Sequence, residues 1–145
     1  MDVIYDDEQW KALEKVNSII KNEGLHLLVN NAGVLYDYDI TGNVLRKLMC
    51  QQMEINAASP LIVIQNFLPL IKKGASSAGK AVIVNMVGAM GSIQNSDGAT
   101  ERGATLYRMS KADLSAKALA DAMLNKLSNE HAAGFFDRNL KPIPF

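Results

Sequence analysis

Leu25-His26-Leu27-Leu28-Val29 runs without a break into Asn30-Asn31-Ala32-Gly33. A short apolar run closed by amides and a glycine reads as a buried parallel strand followed by a turn. A second stretch of this kind, Lys80-Ala81-Val82-Ile83-Val84-Asn85-Met86, lies further along the chain. Both runs are apolar nearly throughout, so both are expected to be buried on two faces. Around them, apolar residues recur at helical steps. Trp10, Leu13, Val16, Asn17, Ile19 and Ile20 predict a helix over Asp7 to Asn22, with Gly24 as its stop. Val44, Leu45, Leu48, Met49, Met53, Ile55, Leu61, Ile64, Phe67 and Leu68 predict a second helix from Asn43 to about Ile71. Leu106, Leu114, Leu119, Met123 and Leu127 predict a third, from Ala104 to Leu127. Asp37 to Gly42 and Gly88 to Gly103 read as loops, and Gly74-Ala75-Ser76-Ser77-Ala78-Gly79 as a small-residue linker.

The order helix, strand, helix, strand, helix implies an α/β fold in which helices cover a parallel sheet. Two strands are few, because sheets ordinarily have about five or six. The expected architecture is therefore an incomplete, doubly wound parallel sheet, with residues 1–145 forming a single partial domain. A parallel pair leaves an apolar edge bare, which invites pairing with another chain.

Composition narrows the function classes. The chain has 145 residues, 48% hydrophobic and 21% charged, enough for one core. Lys+Arg and Asp+Glu both number 15. With no basic surplus, nothing recruits nucleic acid or an anionic membrane. Cys50 is the one cysteine, so no disulfide can close within the chain. The acidic start, Met1-Asp2-Val3-Ile4-Tyr5-Asp6-Asp7-Glu8, lacks the zones of a signal peptide. Purely apolar runs such as Leu61-Ile62-Val63-Ile64 are too short to span a bilayer. A cytoplasmic protein is expected. His26 and His131 have no cysteine or carboxylate at ligand spacing, so no metal site is expected.

Three groups of residues could carry chemistry. Tyr107 and Lys111 are four apart at the start of the third helix, which places both side chains on one face. An ammonium near a phenol favours the phenolate, and such a tyrosine can exchange a proton with a carbonyl or alcohol oxygen. The bare pair fits a helix surface equally well. Pro60 has no N–H to offer the carbonyl of Asn56, so a kink is expected there, with a free acceptor able to hold a water. Asn30-Asn31-Ala32-Gly33 offers small residues and amides at the carboxyl end of a strand, where ligands dock in open α/β sheets.

In this order, these motifs resemble the short-chain dehydrogenase/reductase family. Val84-Asn85-Met86, Gly91-Ser92-Ile93 and Tyr107-Arg108-Met109-Ser110-Lys111 resemble its C-factor/Sniffer type of carbonyl reductase. The resemblance extends from Asp2 to about Leu127, and 128–145 is a divergent tail. It implies the central and C-terminal-side part of a Rossmann-like doubly wound sheet binding NADP or NAD, with a small carbonyl or alcohol as substrate. By resemblance, Asp2 and Val3 contact the adenine, while Asn30, Ala32 and Gly33 line the cofactor cleft. Tyr107 is the acid/base, Lys111 holds the ribose and tunes the phenol, and Asn56 supports a water relay. The helices at 43–71 and 104–127 correspond to a dimer face in many relatives, so a homodimer is expected.

The chain departs from the family pattern in three places. Its 145 residues contain no Thr-Gly-x-x-x-Gly-x-Gly turn for the pyrophosphate. Counted from Asn85, the catalytic serine falls on Gly88, with Ser92 the next hydroxyl. After the third helix, no Pro-Gly segment matches the one that covers the nicotinamide. The expectation is an impaired or inactive oxidoreductase as an isolated chain; the alternative is a non-catalytic paralogue or fragment acting as a dimerising module.

Overall fold

The computed structural model describes residues 1–36, 45–92, 105–112 and 141. The chain divides into two compact units, one of Met1–Ala32 with Ala58–Met86, the other of Gly33–Ala57 with Val87–Phe145. The expected loop at Asp37 to Gly42, residues 93–103 of the expected second loop, the third helix beyond residue 112 and most of the tail lie outside the described residues.

The first unit begins with helix α1, Asp6–Ile20. Asp6, Asp7 and Glu8 occupy its first turn, where the helix dipole favours negative charge. Its inner stripe is Ala12, Leu13, Val16 and Ile20, spaced as one face of a helix requires. Trp10 and Ile19, expected on that face, stand to either side of it and are exposed. The middle of the stripe is taken by Gln9, which is 1% exposed. A buried amide needs partners, and Gln9 has them: Nε2 donates to the Val3 carbonyl at 2.7 Å, and Oε1 accepts from Asn66 Nδ2 at 2.9 Å.

Strands β1 (Leu27–Asn30) and β2 (Val82–Asn85) pair in parallel, with Leu27 opposite Val82 and Asn30 opposite Asn85. Helix α3, Ser59–Ala78, packs on this pair. Its Val63, Phe67, Leu70 and Ile71 form the core with Ala81, and Leu28 and Ile83 reach into it from the strands. The other face of the strands does not meet the expectation of burial. Leu27, Val29 and Val82 remain 53%, 48% and 45% exposed. Both helices of this unit pack into the core that receives Leu28 and Ile83, and the described residues of the unit leave the alternate side chains open.

Gly74 to Ala78, expected as a linker, instead form the last turns of α3, which ends at Gly79 in the left-handed conformation (φ 77°). The reason is a close backbone approach. A β-carbon on Gly74 would collide with the Leu25 carbonyl oxygen and sit 2.6 Å from the carbonyl carbon. Gly24 (φ 83°) has the reciprocal restriction against the backbone of Gly74. The Leu25 N–H donates to the Leu70 carbonyl at 2.8 Å, and Ser77 Oγ to the Glu23 carbonyl at 2.8 Å. Small residues here serve tight packing rather than a flexible connection.

In the second unit, helix α2 (Arg46–Met53) opens into a π turn at Glu54–Ala58. Pro60 follows in the first turn of α3. The expected perturbation therefore takes the form of a widened turn spanning the carbonyl that proline cannot satisfy. The chain is helical from Arg46 to Ala78, long and apolar enough to cross a bilayer by length and composition. More than half of its most apolar window is buried within the protein, as in the core helix of a globular fold. A 3-10 turn at Ala89–Gly91 and a helix over 105–112 complete the described part of this unit.

Candidate active site

Asn56 is the centre of the second unit's polar cluster and is fully buried. It sits in the middle of the π turn, and its side chain uses both ends. Oδ1 accepts the Val34 N–H at 2.8 Å, while Nδ2 donates to the Val34 carbonyl at 2.8 Å and to Ser110 Oγ at 3.0 Å. Ser110 in turn donates to the Tyr107 carbonyl at 2.8 Å. One amide thus ties the segment after Asn-Asn-Ala-Gly to the helix bearing Tyr107 and Lys111.

Lys111 lies one helical turn beyond Tyr107, and its Nζ is 5.6 Å from the centre of the phenol ring. The pairing follows from the i, i+4 spacing and places a cation against an aromatic edge or face. Lys111 is only 4% exposed. Burial pushes its ammonium below the usual lysine range, because a low-dielectric surrounding disfavours the charged form. Gly33 abuts this group: a β-carbon there would stand 3.1 Å from Lys111 Nζ and 3.3 Å from Asn56 Oδ1. Gly91 is similarly close to the helix, since a β-carbon would lie 3.1 Å from the Lys111 β-carbon. Gly88 is different. A β-carbon there would lie 3.6 Å from Tyr107 Oη, at ordinary contact distance. Ser92, the next hydroxyl along, is buried.

The second unit therefore brings together Gly33, Asn56, Tyr107 and Lys111, with Gly88 facing the phenol. The other candidates belong to the first unit. Asn30 Nδ2 donates to Asn85 Oδ1 at 2.8 Å and links the ends of the two strands. Ala32 is exposed, as is Asp2, whose Oδ1 accepts the Ile4 N–H at 3.3 Å. Val3 is held through its carbonyl by Gln9. Sequence reading missed Ser110 and Gln52. Both are polar residues with no exposure, and nothing in a lone sequence reveals their partners. Among the described residues, no group of three or more His, Cys, Asp or Glu could hold a metal ion.

No family model matches the chain, and no curated protein matches it in sequence. Solved structures do. A structure assigned as the carbonyl reductase Sniffer of Caenorhabditis elegans is 29% identical, with a TM-score of 0.90 over 99% of this chain and 75% of that one. The NADPH-bound carbonyl reductase from chicken fatty liver is 25% identical, with a TM-score of 0.89 over 100% of this chain and 75% of that one. Sniffer of Drosophila melanogaster shares the fold at 23% identity and a TM-score of 0.87, over 100% of this chain and 76% of that one. The chain spans about three quarters of the length of these proteins, and what it has of the sheet is part of a Rossmann-like α/β fold. Fold, motif order and a 29% identical structure matched along nearly the whole chain make this protein similar to the Sniffer-type carbonyl reductases of the short-chain dehydrogenase/reductase family.

Proposed function

We infer that this chain is an NADP(H)-dependent oxidoreductase of small carbonyls and alcohols, carried on one partial Rossmann-like domain and slowed at the chemical step by Gly88. The observation that carries this reading is the convergence of Gly33 and Tyr107 on the buried side chains of Asn56 and Lys111. The donor set suits the nicotinamide-ribose end of the cofactor. An ammonium with three donors can hold a ribose diol, and a glycine where a side chain would meet that ammonium keeps the approach open.

When bound, the cofactor supplies or accepts a hydride. Tyr107 Oη gives a proton to the substrate oxygen during reduction and takes it back during oxidation. Lys111 stabilises the phenolate left behind, and Asn56 in the π turn offers a backbone carbonyl for a water that returns the proton. Gly88 contributes no hydroxyl to the substrate oxygen. Loss of one preorganised donor of this kind lowers rates by about 10²–10³. By the family resemblance, Asp2 and Val3 correspond to residues that contact the adenine, and Asn30 and Ala32 to residues that line the cofactor cleft. A cytoplasmic location accords with this chemistry.

Titrating the purified chain with NADPH and following its fluorescence tests the binding half of the reading. Saturable binding is expected, with slow reduction of test aldehydes and ketones that Tyr107→Phe abolishes. Absence of NADPH binding, or turnover indifferent to Tyr107→Phe, would overturn it. A second reading is a dimerising module, favoured by exposed Leu45, Ile62 and Met109 on the two segments expected to form a dimer face. A monomer across the micromolar range by sedimentation would remove it.

A further inference from the structure

Gln52 lies one helical turn before Asn56 and, like it, has no exposure. Its Oε1 accepts the Tyr36 N–H at 2.8 Å, just as Asn56 Oδ1 accepts the Val34 N–H at 2.8 Å. Residues 34 and 36 are two apart, so in an extended segment their N–H groups point the same way. Residues 52 and 56 are four apart, so on a helix their amides stand one above the other. The two amides form a ladder that holds an otherwise irregular segment as a neighbouring strand would. Asn56 completes both bonds of its rung, through the Val34 N–H and carbonyl. Gln52 makes one, and its Nε2 is buried without a partner among the described residues. A buried donor left unpaired is costly, so apolar packing alone does not explain a glutamine at this position.

We propose that Gln52 is a positioning residue of the active site: by accepting the Tyr36 N–H it extends the Asn56 clasp by one rung and holds the segment from Gly33 to Tyr36 in register against Lys111. The proposal rests on the function given above only in what the held segment is for. The clearance at Gly33 shows why register matters, since a β-carbon there would already be 3.1 Å from Lys111 Nζ. A small slip of the 33–36 segment alters the space around the ammonium that the ribose must reach. The acceptor oxygen does the holding, and the unpaired Nε2 does not contribute to it.

Two variants and two readouts separate the possibilities. Gln52→Met keeps volume and removes the acceptor, whereas Gln52→Glu keeps an acceptor oxygen. In the wild-type chain, hydrogen exchange should show the Tyr36 amide protected alongside that of Val34. Gln52→Met should speed exchange at Tyr36 and weaken NADPH binding, each by about fivefold to tenfold, the equilibrium worth of one buried hydrogen bond. The thermal midpoint should change little, and Gln52→Glu, taken up as the neutral acid because burial disfavours the carboxylate, should restore most of both effects. An unprotected Tyr36 amide in the wild type overturns the proposal even if neither variant folds. So does Gln52→Met with unchanged exchange and binding, or Gln52→Glu as damaging to binding as Gln52→Met while Tyr36 stays protected. If the wild type binds no NADPH, the proposed function fails, and the exchange arm alone still decides whether Gln52 holds the segment.

Discussion

Replacing Gly88 with serine should raise the reductase activity of this chain. The glycine is not in the left-handed region, where only Gly24 and Gly79 are found among the described glycines. A β-carbon at position 88 meets Tyr107 Oη at 3.6 Å, and Met90 N and Tyr107 Cε1 at 3.8 Å, so it fits without displacing anything. One bond further, a serine Oγ comes within hydrogen-bonding reach of the phenol oxygen and of a substrate oxygen seated beside it. A well-placed donor of this type is worth about 10²–10³ in rate. Placement within about 0.5 Å is needed for the full effect, and this loop was not shaped around a hydroxyl, so the lower part of that range, near 10²-fold in kcat/KM, is expected. Gly88→Ala is the control. Both substitutions reduce the freedom of the unfolded chain and should stabilise by about 0.4–1 kcal/mol; only serine should accelerate NADPH-dependent carbonyl reduction. Equal rates for the serine and alanine variants, or a serine variant slower than wild type, would show that position 88 does not face the reacting oxygen. Activity in Gly88→Ser that survives an added Tyr107→Phe would refute the assignment of the proton donor.

Gly74→Ala should destabilise the chain by roughly 1–3 kcal/mol, the usual cost of forcing a methyl group into filled space, read as a lower urea midpoint; an unchanged midpoint would mean that α3 and the Leu25 backbone are not in close contact. Gln9→Ala should cost about 1–3 kcal/mol, because it leaves the Val3 carbonyl and Asn66 Nδ2 without their buried partner. Lys111 has a folded-state pKa below its unfolded value of 10.5. The unfolded chain therefore binds more protons between the two values, and stability gained at this site grows as pH rises through the folded pKa. Measured against Lys111→Met, which cannot titrate there, the wild type should become relatively more stable as pH climbs from neutral towards 10.5. A flat or falling difference would contradict the burial of that ammonium.

Hydrophobic period and turn chemistry were enough to place α1, both strands and the helix opening near Tyr107 within a few residues. They failed where packing overrides local preference. Gly74-Ala75-Ser76-Ser77-Ala78 looks like a linker because its residues are small, yet the Leu25 backbone needs that smallness beside a helix. Trp10 and Ile19 carry the apolarity of α1 but flank its buried stripe, while polar Gln9 occupies the middle. The strands read as buried on both faces because composition cannot reveal which layers are present to cover them. At the candidate site, spacing alone put Tyr107 and Lys111 on one helix face, whereas Asn56 and Gly33 joined them through the family resemblance. Gln52 and Ser110 were not legible, because a polar residue discloses its burial only when its partner across the fold is known.

Asn56 also imposes an unusual chemical constraint on the protein's lifetime. Its oxygen receives one amide proton, while its nitrogen serves a carbonyl and a hydroxyl. Direct hydrolysis of this amide by water would exchange a single heavy atom and leave the shape almost intact. The resulting carboxylate would nevertheless oppose the Val34 carbonyl oxygen with another oxygen and add a charge beneath the protein surface. Complete enclosure of this side chain, away from water, is thus a form of protection against ageing.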